Sequence, residues 1–185
     1  MKLLRGLGIL WRRLRVQGFR VTVWWAADHA VRILTGAPLR RVSEITPQVH
    51  VGGQYRRHGW PRMQSRGVTA VVNMRTEFDD VQAGIAPSRY LHLRVVDDEA
   101  PTLEQLHEGC DFIAEELAQG GVVYVHCGSG IGRAATMAAA YFLSTGETEQ
   151  GAWALIRKAR PFIRPTPPQL RQIQRFAAAV AEQGK

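Results

Sequence analysis

A cysteine and an arginine separated by five residues are the pair in this chain best placed to do chemistry together: Cys127 and Arg133, with glycines at 128, 130 and 132 between them. A loop of that length can curl until its backbone N–H groups, a thiol and a guanidinium converge on one tetrahedral anion. The glycines allow the backbone angles and the close approach this needs. Arg133 offers a planar fork for two oxygens of a phosphoryl group, which the point charge of a lysine cannot match. Concentrated positive potential is expected to hold the Cys127 thiol below its ordinary value of about 8.5, as thiolate at neutral pH. A thiolate beside bound phosphorus is a nucleophile. His126 is expected to point away from the anion and hydrogen-bond the loop backbone. The bland alternative, a buried structural cysteine before a helix-capping turn, would suit a lone cysteine but leaves the His-Cys pair, the glycines and the arginine spacing unexplained.

The flanking elements suit the loop. Val122 to Val125 read as a buried strand, and Arg133 opens an alanine-rich helical run from Ala134 to Leu143. A strand, a glycine-rich turn and a helix N-terminus form a ready anion site, because free N–H groups and the helix dipole both favour negative charge. The substrate-binding residues expected are Gly128, Ser129, Gly130, Ile131, Gly132 and Arg133.

The segment His126-Cys127-Gly128-Ser129-Gly130-Ile131-Gly132-Arg133 resembles the Cys-x5-Arg signature of the cysteine-dependent protein tyrosine phosphatases, in particular their compact dual-specificity branch. The resemblance extends over about residues 43 to 178. It implies hydrolysis of a phosphomonoester through a phosphocysteine, without cofactor or metal. It also implies a general acid on the loop after the strand that precedes the signature. Asp97, first after the strand Tyr90 to Val96, fits that position best, with Asp98 the competitor; the alternative is that Asp97, Asp98 and Glu99 form a solvated loop. Asn73, in Asn73-Met74-Arg75, matches a loop-supporting asparagine of the family, or is a strand-terminating turn residue. One departure stands out. The family usually carries Ser or Thr after the arginine, where Ala134 stands, and Thr136 lies on a different face of the helix. That hydroxyl is thought to stabilise the departing thiolate, so its loss bears on turnover.

The elements that must position these groups follow from pattern. Ile45 to Gln54 reads as a short strand closing in Gly52-Gly53, Arg56 to Arg66 as a short helix, and Val68 to Asn73 as a central, near-continuous apolar strand. Thr102 with Gln105 three residues on makes a capping box for a helix to about Gln119. Helices follow over Thr148 to Arg160, with Trp153 and Ile156 inward, and from a proline-rich linker at 163–169 to about Ala181. Interleaved strands and helices predict an α/β fold. Its central sheet is mostly parallel, of about four to five strands, covered by helices on both faces, with a helical N-terminal extension.

Charge divides the chain in two. The net charge is +8, and residues 1–41 carry all of it, with nine Lys or Arg against the single Asp28; residues 42–185 balance fifteen against fifteen. The domains expected are therefore a basic amphipathic extension, 1–41, and a catalytic domain, 42–185. A neutral body weakens any nucleic-acid-binding reading. Residues 1–20 mix leucines with arginines, which suits peripheral contact with an anionic membrane surface or a partner; no uncharged run is long enough to span a bilayer. An organelle transit peptide ranks below that. Residues 21–35 are expected to pack on the body, with Trp24 and Trp25 as anchors.

Two cysteines make no disulfide framework and point to a reducing, cytoplasmic setting. Cys110 reads as a small buried residue, with a resolving thiol as the minority reading. His50, His58 and His107 have no metal-ligand spacing, and His92 reads as a surface or satisfied histidine. The substrate is expected to be a phosphorylated protein or a phospholipid. Lipid phosphatases of the resembled family often carry basic residues in the loop, so their lack here favours phosphotyrosine or a single phosphate, while the basic extension favours a lipid headgroup such as phosphatidylglycerophosphate or a phosphoinositide. A non-catalytic phosphate-binding module, which Ala134 would suit, is the rival of another class. Arsenate reductase and rhodanese are enzymatic rivals that leave the Asp97 loop unexplained.

Overall fold

The computed structural model describes residues 14–183. The chain follows the expected order of strands and helices. Helix α1 (Phe19–Thr35) comes first, then β1 (Val49–Gly53), α2 (Trp60–Gln64), β2 (Val68–Asn73), β3 (Arg89–His92), α3 (Leu103–Ala118), β4 (Val122–Cys127), α4 (Arg133–Ser144), α5 (Glu149–Ala159) and α6 (Pro167–Gln183). The sheet has four strands in the order β1-β4-β2-β3, and every pairing is parallel. The sheet is thus wholly parallel, at the lower end of the expected strand count.

Each face of the sheet has its own core. Val49, Val51, Ala70, Val72, Val123 and Val125 meet the helices α3 to α6 on one side. Val68, Val71 and Tyr124 meet Tyr55, Met63 and Ala37 on the other. Burial on both faces is why these strands read as apolar runs rather than alternating ones. Every residue of α4 from Arg133 to Leu143 is buried. A helix so enclosed must be apolar all round, and its alanines let it lie close to the sheet. Helix α3 starts at the predicted capping box, with the Thr102 hydroxyl accepting from the Gln105 N–H. Trp153 and Ile156 of α5 are buried as expected.

Two boundaries differ from the sequence reading. The Gly52-Gly53 pair lies inside β1, in register with His126 and Cys127, rather than in a turn. The strand read as Tyr90 to Val96 pairs only as far as His92. Beyond it, Leu93 N–H still donates to Asn73 O at 2.8 Å, after which the chain leaves the sheet and brings the Val95 carbonyl to Arg133.

Helix α1 packs on the body, but its anchors are charged. Asp28 and Arg32 are buried, whereas Trp24 and Trp25 are only partly so. Trp25 stacks on His29 and Trp24 lies under the Arg41 guanidinium. Of the basic stretch 1–20, residues 1–13 lie outside the described residues; Val16 and Phe19 are exposed. Among the described residues no helix is long and apolar enough to cross a membrane.

Candidate active site

Cys127 ends β4 and Arg133 begins α4, so the loop between them lies at the carboxyl edge of the sheet's inner strands. Open parallel sheets hold their ligands at that edge. The cleft there, of about 780 Å³, is lined by Arg75, Glu77, Asp97, Asp98, Cys127, the signature loop, Arg133 and residues 164–169.

The conformation of the loop follows from where its carbonyls go. Gly128 O accepts from Gln54 N–H and from Arg32 Nη1, both at 3.2 Å. Ser129 O accepts from Arg160 Nη2 at 2.8 Å and Gly130 O from Arg160 Nε at 2.6 Å. Ile131 O accepts from Arg164 N–H at 2.9 Å, and Gly132 O from the Thr136 N–H and hydroxyl at 2.9 and 3.0 Å. All five carbonyls are thus engaged. In a planar trans peptide the N–H points opposite to the carbonyl, so the N–H groups of 129–133 face away from these donors. One of them reports its direction: Gly130 N–H donates to Cys127 Sγ at 3.2 Å. Gly130 has a φ of 67°, and a Cβ there would sit 2.2 Å from the Gly52 carbonyl carbon, so no other residue fits.

Arg133 is almost fully buried and its fork is divided between tasks. Nη1 and Nη2 each donate to one oxygen of Glu77 at 2.9 Å, and Nη1 also donates to Val95 O at 2.7 Å. Nη2 lies 2.8 Å from Asp97 Oδ1. Nε finds no hydrogen-bond partner among the described residues. The edge holding Nε and the second Nη2 proton is therefore the one that can take two oxygens of an anion, with Asp97 giving up its place. The Arg133 hydrogen bonds draw the Glu77 carboxyl down to about 2.

Asp97 is 77% exposed and can move. Asp98 has a left-handed φ of 63°, and its carbonyl accepts from the Thr166 hydroxyl at 2.8 Å. The structure thus brings Cys127, Arg133, the loop residues 128–132 and Asp97 together; Asp98 lines the same cleft but is tied by its backbone.

His126 departs from the expected contact with the signature-loop backbone, and Asn73 hydrogen-bonds the loop at residues 73–80. The His126 ring makes no loop-backbone hydrogen bond: Nδ1 is without a partner among the described residues, and Nε2 lies 2.8 Å from Asp80 Oδ2. The ring is stacked on Tyr124 and edge-on to Tyr55, so it reaches sideways across the sheet edge. Burial pushes the Asp80 carboxyl up, but the hydrogen bonds with His126 and Gln54 outweigh it and leave it below the usual range. Asn73 Nδ2 donates to Phe78 O at 2.8 Å and to the Tyr90 hydroxyl at 3.0 Å, while its Oδ1 accepts from Arg75 N–H at 3.0 Å. It thus shapes residues 73–80, which carry Glu77 and Asp80. Sequence reasoning missed both acids. Their signal was three carboxylates, at 77, 79 and 80, directly after the carboxyl end of a central strand.

His92 is satisfied, with Nε2 at 2.6 Å from Arg75 O. Cys110 is buried, and burial pushes its thiol up to about 12. Among the described residues no group of three or more His, Cys, Asp or Glu is arranged to hold a metal ion.

A family profile described as "Polymorphic toxin system, DSP-PTPase phosphatase" matches residues 52–147. Protein phosphatase Slingshot homolog 3 of Rattus norvegicus is 32% identical over 153 residues, covering 78% of this chain and 22% of that protein. Dual specificity protein phosphatase 19 of Mus musculus is 27% identical over 146 residues, covering 78% and 66%. The chain thus spans about a fifth of the length of the Slingshot homolog 3 proteins it matches. Among solved structures, that of PTPMT1 in complex with PI(5)P superposes with a TM-score of 0.70 at 28% identity, over 76% of this chain and 97% of that one. Human DUSP28 gives 0.68 at 25% identity, over 75% and 97%.

Proposed function

The chain belongs to the cysteine-based dual-specificity phosphatase family, and from that premise we propose that it hydrolyses phosphomonoesters of proteins through a phosphocysteine at Cys127. The observation that carries this reading is the loop itself: its five carbonyls are engaged from outside, and Cys127 Sγ, Arg133 and Asp97 share its cleft.

In the first step Cys127 Sγ attacks phosphorus and the bond to the leaving oxygen breaks. The N–H groups of the loop and the Nε/Nη2 edge of Arg133 take the charge on the phosphoryl oxygens. Asp97, leaving Arg133, enters as the carboxylic acid and gives its proton to the leaving oxygen. In the second step water attacks phosphorus, Asp97 takes the water's proton, and the S–P bond breaks to return the thiolate and release phosphate. Asp98, whose carbonyl is tied to Thr166, is the less suitable acid. His126, through the Asp80 carboxylate, and Asn73, through the backbone of Arg75 and Phe78, act on the 73–80 segment rather than on substrate.

Rapid quenching during turnover of a phosphopeptide, followed by peptide mass analysis, tests the intermediate. One phosphoryl group is expected on the peptide containing Cys127, and turnover with no such adduct would overturn the mechanism. Ala134→Ser is expected to lower the trapped fraction and raise kcat, because a hydroxyl there can donate to the departing thiolate. An unchanged trapped fraction would remove that role. Asp97→Asn is expected to lower kcat by about 10²-fold on phosphoserine, whose leaving group needs a proton, and by less than about tenfold on an activated aryl phosphate. Equal losses on both would take the acid role from Asp97.

A phospholipid substrate is the second reading, supported by the likeness to PTPMT1 in its PI(5)P complex and by the basic charge of residues 1–41. Phosphatidylglycerophosphate or a phosphoinositide, presented on vesicles, would then be hydrolysed faster than phosphotyrosine peptides. Peripheral membrane contact through residues 1–20 of a cytoplasmic enzyme belongs with that reading. A phosphate-binding module without turnover is the reading that remains if no phosphoester is consumed.

A further inference from the structure

Helix α1 reaches the back of the signature loop through two side chains one turn apart. Arg32 Nη1 donates to Gly128 O at 3.2 Å and to Gln54 O at 3.1 Å, and Arg32 Nη2 lies 3.1 Å from His29 Nδ1. The body is shaped to admit this guanidinium: a Cβ on Gly53, at the end of β1, would sit 2.6 Å from Arg32 Cζ. Asp28 acts through a second arginine. Its Oδ1 accepts from Leu39 N–H at 2.9 Å, and its Oδ2 from Arg160 Nη2 at 3.1 Å. Arg160 is wholly buried and gives three further donors to Ser129 O, Gly130 O and Val42 O.

Three consecutive carbonyls of the loop, those of 128, 129 and 130, are therefore held by guanidinium groups that α1 supplies or fixes. Each carbonyl sets the direction of the N–H that follows it, and these N–H groups are what a tetrahedral oxyanion would meet. Asp28 also neutralises an otherwise isolated buried cation. We infer that α1 is a working part of the anion site, with Asp28 and Arg32 as positioning residues that set the loop's affinity for a phosphoryl group. The inference rests on the phosphatase reading for its meaning in catalysis, but its geometry concerns anion binding alone. On this view residues 19–41 belong to the catalytic unit, and any separate extension lies before them.

The test uses the full chain and inorganic phosphate as probe, titrated calorimetrically, with thermal unfolding and aryl phosphate kinetics measured alongside. Arg32→Gln and Asp28→Asn are expected to weaken phosphate binding by about tenfold or more while still unfolding cooperatively well above the assay temperature, as small displacements of a positioned group do. Arg32→Lys, which keeps one donor for Gly128 O, is expected to recover part of the loss. Thr22→Ala is the control: Thr22 is buried on the same helix, and its hydroxyl donates to Gly18 O, remote from the loop. It is expected to alter the unfolding temperature only. Wild-type phosphate affinity in folded Arg32→Gln overturns the inference, and so does an equal loss in Thr22→Ala. If Asp28→Asn does not fold, the two Arg32 variants decide. A wild type that binds phosphate but turns over no phosphoester removes the phosphatase reading and leaves this comparison standing; one that binds no phosphate overturns both.

Discussion

Cys127→Ser is expected to abolish phosphate release, by at least about 10⁴-fold for a nucleophile replaced by its poorly ionising analogue, while leaving phosphate binding close to wild type. The loop conformation does not depend on the thiol. Four of its five carbonyls are held by Arg32, Gln54, Arg160 and Arg164, and the fifth by Thr136, all of which the substitution spares. Only the Gly130 N–H to Sγ contact changes acceptor, and a hydroxyl oxygen can serve there. The variant should therefore hold phosphopeptide without consuming it, which phosphate-release and pull-down measurements on one sample can establish. Cys110→Ser is the matched control. That thiol is buried on α3 and pushed up to about 12, so the variant should release phosphate at the wild-type rate. Appreciable turnover by Cys127→Ser would mean that a different group attacks phosphorus.

What the sequence revealed and what it hid follow from the range of the interactions. The strand-loop-helix of 122–144 was legible because its constraints are local: apolar residues buried on both faces, glycines where backbone must approach backbone, and an arginine at fixed spacing. The Thr102–Gln105 box was legible for the same reason. The partners that finish the site are remote. Arg133 meets Glu77 across 56 residues, His126 meets Asp80 across 46, and Arg160 meets Asp28 across 132. No periodicity encodes such pairs. Nothing in the sequence marked Asp28 and Arg32 beyond their charge, and the neighbouring tryptophans read as the anchors of the helix. The reverse holds because α1 meets the loop through Arg32, which donates to the Gln54 and Gly128 carbonyls, and through Asp28, which balances the buried charge of Arg160. The expected backbone hydrogen bond of His126 failed for a related reason: a buried carboxylate from the adjacent strand end offers the ring a stronger acceptor than a loop amide can.

Arg133→Lys is expected to lower kcat/KM by about 10³-fold, the loss expected when more than one charge-assisted donor to the transition state is removed. The reason lies in how Arg133 is shared. One edge of the guanidinium grips both oxygens of Glu77 and the Val95 carbonyl, which fixes the plane of the group. Only because that edge is fixed does the other, with Nε and the second Nη2 proton, face the cleft in a set direction. An ammonium has three donors on one atom and no second edge, so it can serve Glu77 or the anion but not both in plane. Glu77→Gln is expected to have a smaller effect of the same kind, because an amide can accept from only one of the two Nη groups and loses the charge. The two substitutions should be far from additive: once lysine stands at 133, there is no plane left for Glu77 to fix, and Glu77→Gln should cost little more. A double-mutant cycle in kcat/KM, with phosphate affinity measured in parallel, checks this. Additive losses would mean that Glu77 acts on the cleft by its charge alone, and a lysine variant within about tenfold of wild type would mean that the bidentate geometry is not what the transition state requires.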